Sequence, residues 1–303
     1  MSIWQSRSFR FAAVKFPNCT AEEWREHVRS AEAMGYDVIP ALDLPNGLSP
    51  LPLLLAAAQE SSSMRLTSLI INPSFWHPEL LARELATIDQ LTGGRLEIGL
   101  GAGNVQAGPW DGPLLVDEPV RRTARLRHTI DALKRAFADD ARTPQVVQKP
   151  HPPILVAGAA DGLVKLAAAE ADAYQVSGPF PRPVLPPGVP PLVSAENFAG
   201  RIELLRSAAG DRGDDIEISI GADLILTDDR EEWATTLQKT HTYMSVEDIL
   251  DSPKIMVGTE DEVVEQLLRN RERYGLTYYA INHPPEFAPI LKRLKSLSAA
   301  APV

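Results

Sequence analysis

The sequence contains a single cysteine, Cys19, among its 303 residues. A lone thiol excludes a disulfide framework within the chain and any zinc site built from several cysteines, and we interpret Cys19 as a structural residue. The spacings H-x-H and H-E-x-x-H, the G-x-S-x-G nucleophile motif and a P-loop lysine are also absent. The sequence therefore predicts no metal site and gives no support to metalloprotease, serine hydrolase or P-loop chemistry.

Basic residues are the minority among the charged ones. Thirty Lys and Arg stand against 40 Asp and Glu, which gives a net charge of −10. This balance argues against nucleic acid or an anionic membrane surface as the main partner, although a local basic pocket for an anionic ligand remains compatible with it. The first residues, MSIWQSRSFRF, have no apolar signal core, and no apolar run reaches the length of a membrane span. We therefore expect a cytoplasmic protein.

Short β-branched runs alternate with longer helical patterns along almost the whole chain. The pattern predicts eight strands, at Phe9–Val14, Asp37–Leu42, Leu66–Ile71, Arg95–Leu100, Pro153–Val156, Ala173–Val176, Glu217–Leu226 and Thr277–Asn282. It predicts helices at Thr20–Met34, Pro50–Glu60, His77–Leu91, Glu118–Ala138, Gly162–Glu170, Ala195–Ala209, Glu260–Tyr274 and Phe287–Leu297. Eight strand–helix units imply a parallel sheet buried on both faces. They favour an α/β protein with one (β/α)8 TIM-barrel domain over residues 1–303.

One proline-rich segment, SGPFPRPVLPPGVPP at Ser177–Pro191, interrupts this alternation. So many prolines predict an extended chain without a helix. The segment follows a strand, on the face where a barrel keeps its active site. We interpret it as a rigid loop, and a lid over the site is the alternative.

Three glycines alternate at the end of the fourth strand, in LEIGLGAGN. A dinucleotide-binding fingerprint would need another glycine at a fixed spacing and an immediate helix. The residues that follow, VQAGPWDGP, are too rich in glycine and proline to open one. The alternative is a strand end on the catalytic face of a barrel, where small residues admit a planar ring close to the backbone. We favour this second interpretation.

A second glycine-rich strand end follows in PPILVAGAADGLVK. The strand Ile154–Val156 enters Ala157–Gly162, and a helix then begins, with Asp161 as its expected N-cap. Main-chain N–H groups at a helix N-terminus can bind a phosphate when no side chain obstructs them. A tight loop without a ligand is the alternative. Taken together, the two strand ends suggest a planar cofactor that carries a phosphate.

Five stretches of the chain, in this order, resemble the luciferase-like flavin-dependent oxidoreductases, and the similarity is greatest to the branch that uses the deazaflavin coenzyme F420. They are WREHVRSAEAMGYDVI, INPSFWHPELLARELATIDQLTGGRLEIGLGAG, PPILVAGAADGLVKLAAAEAD, LTDDREEWA and SPKIMVGTEDEVVEQLLRNRERYGLTYYAIN. The resemblance implies a (β/α)8 barrel with the flavin or deazaflavin at the carboxyl ends of the strands. It covers nearly the whole chain.

The resemblance also implies roles for single residues. At the third strand the family often has a strained or cis peptide behind the ring, which here would be the Asn72–Pro73 bond. The residues implied to border the cofactor ring or its side chain are Gly101, Ala102, Gly103 and Asn104. The residues implied to bind its phosphate are Gly158, Ala159 and Ala160. Two further residues, Gln175 and Ser177, flank the next strand end. Arg122 and Arg125 match the positive start of the following helix, but a solvated helix face explains them equally well.

The sequence departs from the family at the end of the second strand. Deazaflavin enzymes commonly have Asp-His there, and this chain has Asp43 followed by Leu44. Because leucine carries no proton, acid–base catalysis from that position is excluded. The remaining candidates are Asp43, which we expect to hydrogen-bond the cofactor or to relay a proton, and His283, after the last strand. We interpret His77, at a helix start, as structural.

These observations predict an F420-dependent oxidoreductase that transfers hydride from the reduced cofactor to an unsaturated small molecule or modified-peptide intermediate, at a C=C or C=N bond. One alternative is an FMN-dependent monooxygenase of the same fold. The other is a non-catalytic barrel that has lost the acid–base residue, for which Leu44 is the evidence. A homodimer is compatible with the sequence, which does not name the substrate.

Overall fold

The computed structural model describes residues 7–44, 47–103, 119–186 and 189–300. Its nine strands are β1 (Arg10–Ala13), β2 (Val38–Ala41), β3 (Arg65–Ser68), β4 (Leu96–Gly101), β5 (Ile154–Gly158), β6 (Ala173–Val176), β7 (Glu217–Leu226), β8 (Ile255–Gly258) and β9 (Leu276–Ile281). Its ten α-helices are α1 (Ala21–Met34), α2 (Pro50–Glu60), α3 (Pro78–Leu91), α4 (Pro119–Ala138), α5 (Asp161–Glu170), α6 (Ala195–Ala209), α7 (Arg230–Gln238), α8 (Val246–Leu250), α9 (Glu260–Tyr274) and α10 (Pro284–Ala300).

Eight of the strands form a closed sheet. Strands β1 to β7 are hydrogen-bonded in chain order, and β9 lies between β7 and β1. The pairs β2–β3, β3–β4, β4–β5 and β7–β9 are parallel, as expected when a helix connects consecutive strands. This arrangement confirms the predicted (β/α)8 barrel.

The ninth strand, β8, lies outside the ring and was not predicted. The first half of β7 pairs with β9, where Ala222 is in register with Ile281. Its second half continues past that point and pairs with β8, beginning with Asp223 opposite Ile255. A run of four apolar residues, IMVG, is too short to distinguish a strand from part of a buried helix by periodicity.

The helix boundaries follow local capping signals. Thr20 and Glu23 form a reciprocal capping box at α1, and Gly35 ends the helix with φ 89°. The predicted bounds of α2, α6 and α9 are confirmed. Helix α10 begins at Pro284 rather than at Phe287, because prolines are tolerated in a first turn, where no N–H is needed.

The chain divides into two compact units. The first comprises Ala13–Ala157 and Glu170–Ala173, and the second comprises Met1–Ala12, Gly158–Ala169 and Tyr174–Val303. The core of the first contains fully buried residues such as Trp24, Leu54, Leu66, Ile98 and Leu133. In the second, Phe11 of β1 contacts the rings of Tyr279 and Phe287 at centroid distances of 6.0 and 5.0 Å. The expectation of one domain over residues 1–303 stays a prediction.

Within the part of the chain that the structure describes, no helix has both the length and the apolar character needed to cross a membrane.

Candidate active site

The two glycine-rich strand ends are neighbours in the sheet. Gly101, at the end of β4, lies in register with Ala157 of β5. The chain therefore continues from adjacent positions into Ala102 and Gly103 on one side and into Gly158 and the following loop on the other. Asn104, which the sequence assigned to the same site, lies outside the described residues.

Protein atoms fill the space beside the glycines of β4. A Cβ on Gly99 would overlap the carbonyl oxygen of Ser68, and one on Gly101 would overlap the side chain of Ile70. Gly103 has φ +79°, and a Cβ there would lie 2.7 Å from the amide atoms of Asn72. Packing against the last residue of β3 and the segment after it thus explains all three glycines, whereas the sequence had suggested space kept for a ring. The assignment of Gly101, Ala102 and Gly103 to cofactor binding stays a prediction.

A chain of hydrogen bonds joins the ends of β2 and β3 to α4. The main-chain N–H of Asn72 donates to Oδ2 of Asp43 at 3.1 Å, and Oδ1 of Asn72 accepts from the N–H of Ser74 at 3.0 Å. Arg125 then donates to the hydroxyl of Ser74 at 2.8 Å, and Arg122 donates to the carbonyl of Gly103 at 2.8 Å. Both arginines are half-buried and face these strand ends, so the interpretation as a solvated helix face was wrong.

The expected cis bond lies elsewhere. The non-prolyl cis peptide of this region is Leu69–Ile70, and Asn72–Pro73 is not among the cis bonds of the described residues. Pro73 instead opens a short 3-10 turn, Pro73–Phe75, which the side chain of Asn72 caps. The fixed φ of proline suits that first position of the turn.

Asp43 is half-buried at the end of β2. Burial raises the pKa of its carboxyl group, while the hydrogen bond from the main-chain N–H of Asn72 and the interaction with the indole N–H of Trp76 act to lower it. The indole nitrogen of Trp76 is buried, and its interaction with the Asp43 carboxyl group falls outside standard hydrogen-bond geometry. Leu44, the residue after Asp43, is also half-buried.

In the second unit, the side chains of Tyr174 and Arg201 hold the loop between β5 and α5. Burial raises the pKa of the Tyr174 hydroxyl, which donates to the carbonyl of Gly158 at 2.8 Å. Arg201 of α6 donates to the carbonyl of Ala159 at 3.2 Å and pairs with the carboxylate of Asp161. Asp161 is the first residue of α5 and not its N-cap, because the carbonyl of Ala160 accepts the N–H groups of Leu163 and Val164.

Arg201 is the residue here that sequence reasoning missed. Its side chain is 17% exposed, and its Nε is buried without a hydrogen bond to any described residue. Its guanidinium also lies 5.5 Å from the ring centre of Phe180. No local motif marks it, since it lies on the helix after the next strand. Only the topology, in which α6 follows α5 around the barrel, could have pointed to it.

The remaining candidates lie at the ends of β6, β7 and β9. Gln175 accepts a long hydrogen bond of 3.4 Å from Ser219, and Ser177 is exposed. His283 Nε2 lies 4.0 Å from Oδ1 of Asp223, which also accepts from Asn282 at 2.6 Å. His283 is half-exposed, so it remains accessible to solvent.

Hydrogen bonds anchor the proline-rich segment near both of its ends. Asn197 bonds the main-chain N–H and carbonyl of Phe180 at 3.1 and 2.7 Å. Lys254 donates to the carbonyl of Pro191 at 3.0 Å, and the hydroxyl of Tyr243 bonds both main-chain groups of Leu192. These anchors support a rigid loop.

Among the described residues, no group of three or more His, Cys, Asp or Glu side chains could hold a metal ion. The donors at the strand ends are arginines and main-chain N–H groups, which suit an organic anion, and the carboxylates there act as acceptors.

Comparisons with known proteins agree with this picture of the fold. The chain is 28% identical over 199 residues to the FMNH(2)-dependent dimethylsulfone monooxygenase of Pseudomonas putida, covering 59% of this chain and 48% of that protein. The chain therefore spans about half the length of this curated relative.

Solved structures with the same fold include both monooxygenases and F420-dependent enzymes. Monooxygenase RslO1 from Streptomyces bottropensis superposes with a TM-score of 0.67 at 21% identity, covering 96% of this chain and 98% of that one. The coenzyme F420-dependent tetrahydromethanopterin reductase from Methanopyrus kandleri gives a TM-score of 0.69 at 16% identity, covering 94% of this chain and 97% of that one. The family model of the luciferase-like monooxygenases matches residues 12–253. The chain belongs to the luciferase-like monooxygenase family.

Proposed function

We propose that the chain is an oxidoreductase that binds F420, or alternatively FMN, and passes hydride to a C=C or C=N bond of a small molecule or modified peptide. The observation that carries this proposal is Arg201, a mostly buried cation that reaches the loop between β5 and α5 in a luciferase-like barrel. FMN and F420 both contain a planar ring and a phosphate, and relatives that use each cofactor share this fold.

The residues after β5 suit the phosphate. A buried guanidinium with one unsatisfied nitrogen, beside the first turn of α5, offers charge-assisted hydrogen bonds to an anion. Gly158 has no free space beside its Cα, since an added Cβ would overlap Leu163. The main chain of Gly158, Ala159 and Ala160 is therefore held in one shape by its own packing, which reduces the entropy lost on binding.

The residues after β2 and β3 suit the polar edge of the ring. Asp43 and Asn72 are already joined by a hydrogen bond, and the indole of Trp76 lies beside the carboxyl group of Asp43. A polar cluster that is already positioned loses little entropy when a ligand binds to it. Gln175 and Ser177 would contact the cofactor from the end of β6.

The bound cofactor would supply the hydride, and the chain would orient the ring, exclude water and provide a proton. Leu44 has no ionisable group and cannot provide this proton. Asp43 and the half-exposed His283 are the groups of this chain that we propose for proton transfer, and His283 could regain its proton from solvent.

An FMN-dependent monooxygenase is the second candidate. The curated relative is named as an FMNH(2)-dependent monooxygenase, and it is more similar in sequence than the F420-dependent structures. Both functions require the same binding residues, so cofactor preference distinguishes them.

Titration of the purified protein with FMN and with F420, followed by the absorbance and fluorescence of each cofactor, tests the proposal. We expect saturable binding of one of them with a Kd in the micromolar range or below. Tighter binding of F420 would support the proposed reductase function. Tighter binding of FMN would support the proposed monooxygenase function. Binding of neither cofactor, oxidised or reduced, would overturn both in favour of a non-catalytic barrel.

A further inference from the structure

Gly221 of β7 has open space beside it, which distinguishes it from the other glycines in the strands of the described chain. A Cβ added to any of those others would overlap a neighbouring atom; they are Gly99, Gly101, Gly158 and Gly258. A Cβ added to Gly221 would meet no atom within 4 Å. Close packing of the protein therefore does not explain the glycine at this position.

The backbone of β7 does not require glycine there either. Gly221 is not among the glycines with positive φ, so an alanine could adopt the same conformation. The irregular pairing of β7 with β9 lies between Ile218 and Ser219, and Gly221 itself is in register with Ala280. A glycine inside a strand costs conformational entropy. One reason to keep it is the close approach of a ligand to the main chain.

The open side of Gly221 lies on the inner face of the sheet. The ring of Tyr279 in β9 contacts Phe11, which packs against α10, so Tyr279 points towards the helices. Side chains alternate along a strand, so Ala280 points to the opposite, inner face. Gly221, in register with Ala280, shares that face. It is only half-buried, as expected beside a space that a small molecule can enter.

Polar groups lie at the carboxyl end of this space. Asp223 is on the same face of β7, two residues after Gly221. Its Oδ1 accepts from the amide of Asn282 at 2.6 Å and lies 4.0 Å from Nε2 of His283. Its Oδ2 accepts no hydrogen bond of standard geometry from any residue that the structure describes. A ligand beside Gly221 would therefore find one accepting oxygen close to a half-exposed imidazole.

Nearby charges restrict the ligand group that Asp223 can bind. The carbonyl of Lys254 accepts from the main-chain N–H of Asp223 at 3.0 Å, and the ammonium group lies near enough to interact with the charges of Asp223 and Arg182. That ammonium group donates to the carbonyl of Pro191 at 3.0 Å. A cationic ligand group would be repelled by Lys254 and Arg182, and an anionic one by Asp223. A neutral hydroxyl or N–H group meets neither repulsion.

We infer that the space beside Gly221 receives the substrate, and that Asp223 accepts a hydrogen bond from a neutral hydroxyl or N–H group next to the unsaturated bond. This inference rests on the proposed function and specifies the substrate chemistry that the site recognises. The proposed function assigns neither Gly221 nor Asp223 to the cofactor. It gives His283 a role in proton transfer, and His283 lies beside the same carboxylate.

Phenol is the probe for this pocket, because it is flat, neutral and carries one O–H donor. Anisole is its match without the donor. Ligand-detected NMR measures the affinity of both for wild type, Gly221→Val, Asp223→Ala and the control Gly200→Val, which also has no atom within 4 Å of its Cβ but lies in α6. Thermal unfolding confirms that each variant is folded, and Gly221→Ala replaces Gly221→Val if the valine variant does not fold. The same proteins are titrated with FMN, or with F420 if only F420 binds.

We expect wild type to bind phenol in the millimolar range, as suits so small a ligand. Gly221→Val should weaken the binding of phenol and of anisole at least about fivefold, because the added side chain occupies their space. Asp223→Ala should weaken the binding of phenol about fivefold and leave that of anisole nearly unchanged, since only phenol donates to the carboxylate. Gly200→Val should change neither affinity.

Three results would overturn the inference while leaving the proposed function intact. They are a wild type that does not bind phenol, equal phenol affinity in wild type and Gly221→Val, and equal losses of phenol and anisole binding in Asp223→Ala. A fall in cofactor affinity in Gly221→Val would also overturn it, because the cofactor would then occupy the space. If wild type bound phenol but neither cofactor, the proposed function would be overturned, and the assignment of the pocket to its substrate with it.

Discussion

The main-chain N–H of Asn72 and Oδ2 of Asp43 lie 3.1 Å apart and form a hydrogen bond between the segment after β3 and the end of β2. The bond fixes a carboxyl group in a half-buried position, directly before Leu44. Because burial raises the pKa of Asp43, the position has consequences for stability that can be measured without any ligand.

Replacement of Asp43 by Asn should change how stability depends on pH. A carboxyl group whose pKa is raised on folding contributes stability below its unfolded pKa, and this contribution is lost as pH rises through the folded value. We therefore expect the free energy of unfolding of wild type to fall, relative to Asp43→Asn, from about pH 3, below the ordinary pKa of Asp, to about pH 7. Urea unfolding at both pH values measures it, and a constant difference between the two proteins would contradict the expectation.

Gly99 should not tolerate a methyl group. Its Cβ would overlap the main-chain carbonyl of Ser68, so β3 and β4 would have to separate. We expect Gly99→Ala to lower the free energy of unfolding by about 3 kcal/mol, measured by denaturant unfolding.

Gly200 provides the matched control for this substitution. It lies within α6 with no atom within 4 Å of an added Cβ. Gly200→Ala should stabilise the protein by about 0.5–1 kcal/mol, because alanine has the higher helix propensity. If both substitutions changed the free energy of unfolding by the same amount, steric overlap with Ser68 would not be the reason for glycine at position 99.

Arg201 should discriminate FMN from riboflavin, which lacks the phosphate. We expect Arg201→Gln to weaken FMN binding at least about tenfold and to leave riboflavin binding nearly unchanged, since one charge-assisted hydrogen bond is lost. Arg212→Gln is the control, because Arg212 donates to carbonyls of Ala168 and Ala169 at the other end of α5. Equal losses for both ligands would assign Arg201 a purely structural role.

Asn197 should control the exchange of the Phe180 amide. Its side chain accepts from that N–H and donates to the carbonyl of the same residue. In Asn197→Ala, hydrogen exchange at Phe180 should accelerate, whereas the Leu192 amide, which Tyr243 holds, should exchange as before. Unchanged exchange at Phe180 would mean that the prolines alone fix the loop.

The fold was predictable because it depends on local, repeated signals. The apolar runs of the eight ring strands are visible in the sequence, and so is the alternation of these runs with helical patterns. Strand β8 was missed because it is short and depends on the extension of β7, a tertiary feature. The start of α10 was missed because prolines that usually interrupt helices are compatible with a first turn.

The candidate site was less predictable, because its geometry comes from contacts distant in sequence. The sequence pointed to Asp43 and to the loop after β5, but not to the arginine that reaches that loop from α6. It also suggested open space at Gly99 and Gly101, where Ser68 and Ile70 pack closely. The sequence alone does not distinguish a glycine that allows protein atoms to pack closely from a glycine that leaves room for a ligand.

The crystal structure of the protein with whichever cofactor binds more tightly is the most direct test of the proposed cofactor site. We expect the cofactor phosphate to lie within hydrogen-bonding distance of Arg201 and of the main-chain N–H groups at the start of α5. A cofactor bound with its phosphate away from this loop would contradict the assignment.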